Sequence, residues 1–235
     1  MAISTVLFDL DGTLLPMDLD IYIKDYFGRL AAYFAGHGYE SAQLMREIRR
    51  GISAMVNNDG SKTNEEAFWE HFRSAYGEKA ILDKPAFDDF YETEYDKVSA
   101  VCGYTPASAE ILRMLKEKGL RIVLATNPLF PACATRRRIK WAGLSPEDFE
   151  IYTTYENSRF SKPNLKYYQA IMEDLGVKAE ECVMVGNDVG EDMIAAGLGM
   201  KVFLLTDCLI NTVGADINQY PHGDFEALRS FLAAL

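Results

Sequence analysis

The segment Val6-Leu7-Phe8-Asp9-Leu10-Asp11-Gly12-Thr13 carries the strongest structural signal in the chain. Its first three residues form a short apolar run, which is typical of a buried strand in a parallel sheet. Gly12 interrupts the strand pattern, so the carboxylates of Asp9 and Asp11 fall where strand becomes loop. Ligands of open α/β sheets bind at this carboxyl end of the strands. The segment therefore predicts a parallel α/β sheet with a site at the end of its first strand.

Two kinds of sequence follow this segment. From about residue 105 onward, short apolar runs alternate with amphipathic helical patterns, which is typical of a parallel sheet with crossover helices. Residues 16–104 instead show helical periodicity with many aromatic residues and almost no strand-like alternation. We therefore predict a helical domain at 16–104, inserted into a sheet domain made of residues 1–15 and 105–235. The later strands are expected at 121–125, 150–153, 182–185 and 202–205.

Composition and charge limit the classes of binding partner that the chain is expected to have. The 235 residues carry a net charge of −11, which argues against nucleic acid or an anionic membrane as the main partner. No stretch approaches the roughly 18 uninterrupted apolar residues of a membrane-spanning helix. Four widely spaced cysteines and a start without a secretory leader favour free thiols and a cytoplasmic location. The sequence carries no signal for a particular oligomeric state.

Polar side chains follow two of the later predicted strands. Thr126 and Asn127 come directly after one, and Asp188 follows another, with Asp192 four residues further along the same helix face. Lys162 lies on a loop between them. Carboxylates, a threonine and a lysine at strand ends fit a magnesium-assisted phosphoryl-transfer site, because Mg²⁺ takes oxygen ligands and usually keeps several waters.

This ordered set of motifs resembles the haloacid dehalogenase-like hydrolase superfamily. That family has an Asp-x-Asp-Gly-Thr/Val motif first, then a Ser or Thr ending a strand, an isolated Lys, and a strand ending in acids. The resemblance implies a Rossmann-like parallel sheet flanked by helices, with an all-helical C1 cap inserted after the first motif. One departure lies at Gly186-Asn187, where many members read Gly-Asp; here the acid comes one place later, at Asp188. Whether Asn187 also contacts the metal stays open.

The resemblance also implies roles for the acids. Asp9 would be the nucleophile that forms an aspartyl-phosphate. Asp11 would protonate the leaving alkoxide and then deprotonate the attacking water. The Asp9 carboxylate, the Asp11 backbone carbonyl and Asp188 would hold Mg²⁺.

The remaining motif residues would assist these acids. The Thr126 hydroxyl and the Asn127 N–H would bind the phosphoryl oxygens of the substrate. Lys162 would hold Asp9 ionised by neutralising the crowd of negative charge. Asp192 would orient Lys162 or a metal-bound water.

The resulting hypothesis is a magnesium-dependent phosphatase acting on a small phosphorylated metabolite. A phosphomutase of the same superfamily is the nearest alternative. The product distinguishes the two, because a phosphatase releases inorganic phosphate whereas a mutase moves the phosphate to another position on a sugar. A phosphoacceptor signalling domain uses similar residues, but such domains are about half as long and carry the acceptor Asp after a later strand. A non-catalytic binding protein with this fold is a further alternative. Asp11 favours phosphate esters, because a dehalogenase has no use for an acid at that position.

Two groups of side chains are expected to serve the fold alone. The helix predicted around residues 132–141 carries Arg136, Arg137 and Arg138, which we assign to a solvated face. The aromatic residues of the helical insertion are expected to form its own core, because their spacing is helical.

Overall fold

Six parallel strands form one sheet in the computed structural model, which describes residues 2–235. The strands are β1 (Thr5–Phe8), β2 (Arg121–Leu124), β3 (Ile151–Tyr152), β4 (Cys182–Gly186), β5 (Lys201–Leu205) and β6 (His222–Gly223). Their order across the sheet is β3-β2-β1-β4-β5-β6, and every neighbouring pair is parallel. β1 therefore lies between β2 and β4, and the loops that follow those two strands flank its carboxyl end.

Nine α-helices within residues 2–235 surround the sheet or form the insertion. They are α1 (Leu19–Ala35), α2 (Ser41–Val56), α3 (Asn64–Tyr76), α4 (Glu78–Leu82), α5 (Lys84–Thr93), α6 (Pro106–Glu117), α7 (Ala132–Trp141), α8 (Leu165–Leu175) and α9 (Phe225–Ala233). Short 3₁₀ helices lie at Tyr95–Val101, Pro146–Asp148, Ala179–Glu181, Met193–Leu198 and Ile217–Gln219. None of these helices is long and apolar enough to cross a membrane.

Both faces of β1 are buried, which explains its uninterrupted apolar run. Successive side chains of a strand point to opposite faces. Leu7 packs in the cluster that includes residues of α8, whereas Val6 and Phe8 pack in the cluster that includes residues of α6 and α9. A parallel strand covered by helices on both sides has no solvated face, so it shows no alternation of polar and apolar residues. The predicted α/β fold with a buried first strand is confirmed.

The helical insertion leaves and rejoins the sheet through two paired segments. Met17 and Cys102 form an isolated antiparallel bridge, and the Gly103 amide donates to the Pro16 carbonyl at 2.7 Å. Between them lie α1 to α5 and the 3₁₀ helix at 95–101. The aromatic residues there are mostly buried against one another, as expected; they include Tyr22, Tyr26, Phe34, Phe72, Phe90 and Tyr95. The division into two domains at residues 15/16 and 104/105 stays a prediction.

The structure differs from the predicted elements in three places. The strand expected at 150–153 is only two residues long, and the helix expected to carry both Asp188 and Asp192 is a 3₁₀ helix that begins after them, at Met193. The sixth strand, His222–Gly223, was not predicted because two partly exposed residues leave no apolar run. The four cysteines are free.

Leu7→Ala should lower the free energy of unfolding by about 2–5 kcal/mol, because it opens a cavity under a fully buried strand. Leu82→Ala removes the same atoms from a side chain that is 76% exposed, so it should change stability by less than about 0.5 kcal/mol. Urea denaturation of both variants checks the expectation. Equal losses in the two would contradict the burial described for β1.

Candidate active site

Asp9 lies at the carboxyl edge of the sheet, between the ends of β2 and β4. Its amide donates to the Val185 carbonyl at 2.9 Å, and the Ala125 amide donates to the Phe8 carbonyl at 2.7 Å. The Asp9 residue is only 7% exposed. The sheet ladder thus holds one nearly buried carboxylate at the edge where ligands of α/β sheets bind.

The ammonium group of Lys162 reaches Asp9 from the loop that precedes α8. Its Nζ donates to Oδ1 of Asp9 at 2.8 Å and to Oδ1 of Asp192 at 2.6 Å. Burial by itself would lower the pKa of this amine, but the Asp192 and Asp9 carboxylates raise that pKa well above its usual value. Lys162 is therefore a buried cation, and three of the predicted site residues lie in direct contact.

Asp192 occupies space that a glycine at position 186 leaves free. Its Oδ2 accepts a hydrogen bond from the Asp188 amide at 3.0 Å. A Cβ atom at position 186 would lie 2.0 Å from that oxygen, so any side chain there would displace Asp192. The glycine at the end of β4 is required by this close approach. Both oxygens of Asp192 are therefore engaged, one by Lys162 and one by the backbone.

The Asp188 carboxylate is partly used by its own loop. Its Oδ1 accepts from the Gly190 amide at 2.7 Å and from the Glu191 amide at 3.0 Å. Such bonds fix the orientation of the side chain in the manner of an Asx turn. Within residues 2–235 only Oδ1 accepts such a bond, which leaves Oδ2 of the half-buried Asp188 available to a ligand.

Thr126 and Asn127 are held at the end of β2 by neighbours that the sequence did not indicate. The Thr126 carbonyl accepts from the Thr153 hydroxyl at 2.6 Å and from the Tyr167 hydroxyl at 2.8 Å. Asn127 Nδ2 donates to both carboxylate oxygens of Glu191, at 3.1 and 3.0 Å. Burial raises the pKa of Glu191. A carboxylate one residue before Asp192 gave no sequence signal, because many helices carry acids at such positions.

The assignment of Arg138 to a solvated face is wrong. Arg138 is 0% exposed, and its Nη1 donates to Oδ2 of Asp11. Its guanidinium carbon lies 4.4 Å from the centroid of the Phe130 ring. Arg136 is exposed, as expected, whereas Arg137 is half-buried and pairs with Glu92 and Asp96. A helix with 3.6 residues per turn points at most one or two of three consecutive side chains inward, and three identical residues give no sign of which.

The two oxygens of Asp11 have different surroundings. Oδ2 pairs with Arg138, whereas Oδ1 is buried and has no hydrogen-bond partner within residues 2–235. Burial raises the pKa of Asp11 to about 6, against the opposing effect of the Arg138 charge. A carboxyl group that titrates near neutral pH suits proton transfer in both directions.

Asn187 connects the first motif to a neighbouring loop. The Thr13 hydroxyl donates to its Oδ1 at 3.0 Å, and its Nδ2 donates to the Cys208 carbonyl at 2.7 Å. Gly12 has a φ of +82°, and a Cβ atom there would lie 2.3 Å from Asn187 Nδ2. Both ends of the Asn187 amide are thus used within the protein.

The types of ligand atom at the site indicate which metal ion it could hold. Residues 2–235 contain no cluster of three or more His, Cys, Asp or Glu side chains arranged to hold a metal ion. The expected ligands are instead two carboxylates and one backbone carbonyl, at the ends of the adjacent strands β1 and β4. Mg²⁺ needs only a few protein oxygens because it keeps several waters, so this all-oxygen set fits it. It does not fit zinc, which prefers nitrogen and sulfur.

The six-stranded parallel sheet flanked by helices is an α/β fold of the Rossmann-like type, with acids at the carboxyl end of β1. The family model for haloacid dehalogenase-like hydrolases matches residues 3–198, and the chain belongs to this family.

Several known proteins are similar to this chain over most of its length. Pyrophosphatase PpaX of Halalkalibacterium halodurans is 23% identical over 201 residues, covering 86% of this chain and 82% of the relative. A phosphoglycolate phosphatase of Colwellia psychrerythraea is 24% identical over 244 residues, covering 99% and 96%. Among solved structures, a 2-haloacid dehalogenase from Pseudomonas syringae pv. Tomato has a TM-score of 0.65 at 18% identity, with 99% of both chains covered.

Gly12→Ala should destabilise the protein and impair the site, because the new methyl group displaces the Asn187 amide. Gly38→Ala is the matched control: its φ of +75° is similar, but nothing lies within 4 Å of the added Cβ. Both should lose about 1–2 kcal/mol through the left-handed backbone. Only Gly12→Ala should lose more than this in thermal unfolding and also lose phosphatase activity. Identical behaviour of the pair would contradict the contact with Asn187.

Lys162→Met should lower stability by about 3–5 kcal/mol, because it leaves two buried carboxylates without their cation. The double variant Lys162→Met/Asp192→Asn should recover part of that loss, since only the Asp9 charge then lacks a partner. Activity should stay absent in both variants, because Asp9 has lost its cation in each. Chemical denaturation with a parallel activity assay checks both points. A fully stable single variant would contradict the buried ion pair.

Proposed function

We propose that this chain is a magnesium-dependent phosphatase that hydrolyses a small phosphorylated metabolite through an aspartyl-phosphate on Asp9. The observation that carries the proposal is the buried Lys162 ammonium, 2.8 Å from the Asp9 carboxylate. A cation at this distance keeps a buried carboxylate ionised and therefore nucleophilic. It also offsets the charge of an arriving phosphate, in a chain whose net charge of −11 would otherwise repel it.

The chemistry divides into two displacements at phosphorus. In the first, a carboxylate oxygen of Asp9 attacks the phosphorus while Asp11 protonates the departing oxygen. The Thr126 hydroxyl and the Asn127 N–H bind the phosphoryl oxygens. In the second, Asp11 takes a proton from the water that attacks the aspartyl-phosphate, which releases phosphate and regenerates Asp9.

Two further assignments complete the proposed site. Asp9, Asp188 and the backbone carbonyl of Asp11 would hold Mg²⁺, which when bound neutralises charge on the transferring phosphoryl oxygens. Asp192 positions Lys162 through their contact of 2.6 Å.

We also propose that residues 16–104 form a cap over the sheet domain of residues 1–15 and 105–235. Closure of such a cap excludes bulk water and large substrates. Two similar proteins, a pyrophosphatase and a phosphoglycolate phosphatase, support a small phosphorylated substrate. Asp11 favours a phosphate ester over the substrate of the structurally similar dehalogenase, because a departing halide needs no proton.

Asp9→Asn should reduce turnover of p-nitrophenyl phosphate by about a thousandfold or more, because the amide is not a nucleophile. EDTA should abolish the wild-type activity, and added Mg²⁺ should restore it. Glu117→Gln is the control, since Glu117 is an exposed acid at the end of α6. Its activity should match the wild type.

The same assay can reject the proposal. Wild-type turnover in Asp9→Asn would exclude the aspartyl-phosphate, and activity unaffected by EDTA would exclude the metal. Mass spectrometry of the acid-quenched wild-type enzyme should show the added phosphoryl group, and Asp9→Asn should not carry it.

A further inference from the structure

Arg138 is a charged side chain placed entirely inside the protein. It lies on α7, is 0% exposed, and contacts Asp11 and the face of the Phe130 ring. Phe130 in turn packs against Tyr22 and Tyr95, whose hydroxyl groups lie 2.5 Å apart. The guanidinium thus lies on the Phe130 ring, which packs against aromatic side chains of the insertion. Arg138 is engaged by Asp11, so it would act on the substrate through that carboxyl group.

The fold alone does not account for this arginine. Taking a guanidinium out of water costs several kcal/mol, and buried ion pairs can often be replaced by apolar side chains without loss of stability. The one acidic side chain that Arg138 pairs with is Asp11, within residues 2–235.

We propose that Arg138 is a positioning residue that fixes the Asp11 carboxyl group for proton transfer, an inference that rests on the proposed function. Arg138 holds Oδ2, whereas Oδ1 is buried without a partner and is the oxygen that exchanges the proton. The Oδ1–H bond breaks as the departing oxygen gains that proton, while the Asp9–phosphorus bond forms and the ester P–O bond breaks. Water later returns a proton to Oδ1. Without Arg138, the Asp11 carboxyl would rotate away from the departing oxygen.

The test compares two aryl phosphates of nearly the same shape. Phenolate is a poor leaving group that needs protonation, whereas p-nitrophenolate leaves with little help. The measured quantity is the ratio of kcat/KM for p-nitrophenyl phosphate to that for phenyl phosphate. The kcat/KM value reports the steps up to phosphoryl transfer. The fraction of folded enzyme affects both kcat/KM values equally and cancels in the ratio. A less stable variant can therefore still be compared with the wild type.

Arg138→Met should raise this ratio by about tenfold or more, because general acid catalysis contributes at least that factor. Asp11→Asn sets the upper limit of the effect. Arg138→Lys keeps the cation but loses the planar fork, so it should raise the ratio about threefold. Arg136→Met, the control on the exposed part of α7, should leave the ratio within twofold of the wild type.

The outcomes separate this proposal from the proposed function. If Arg138→Met and Arg138→Lys keep the wild-type ratio while Asp11→Asn raises it, Arg138 only supports the fold and the proposal is wrong. If Arg138→Met yields no folded protein, Arg138→Lys decides by the same ratio. If Asp11→Asn leaves the ratio unchanged, the acid role of Asp11 is wrong, and this proposal falls with it. Activity retained in Asp9→Asn would instead overturn the proposed function itself.

Discussion

The ammonium group of Lys162 stabilises the buried carboxylates around it. It lies between Asp9 and Asp192 and is 1% exposed, so it has exchanged its hydration shell for two carboxylates. Burial raises the pKa of Asp192 to about 7, against the opposing effect of the Lys162 charge. The loop before α8, the end of β1 and the 3₁₀ helix at 193–198 therefore meet around a single positive charge.

Each acid of the first motif pairs with a different buried cation. Asp9 pairs with Lys162, and Asp11 pairs with Arg138. The two environments differ, because Asp9 shares its cation with Asp192 whereas Asp11 keeps one oxygen without a partner. These different surroundings support the proposal that one of the two carboxylates attacks phosphorus and the other moves protons. Because both residues are aspartates, only their surroundings distinguish them.

The parts of the site that the sequence predicted are those that follow from local pattern. A buried apolar run that ends in Asp9 and Asp11 can be read from neighbouring residues alone, and so can Thr126 after its strand. The contact of Lys162 with Asp9 spans 153 positions in the chain and was expected only through the family resemblance. The burial of Arg138 was not predicted, because helix periodicity does not indicate which of three adjacent arginines faces inward. That choice is made by the packing of α7 against the insertion and the sheet.

The pairing of Pro16 with Gly103 has a consequence for how such a protein can change over time. The insertion begins and ends within one hydrogen bond of itself, at 2.7 Å, so the sheet experiences it as a short closed loop. Another inserted segment whose ends lie equally close would meet the same spacing requirement at the sheet. If residues 16–104 act as the proposed cap, substrate selection could change through the inserted segment while Asp9 stays at its strand end.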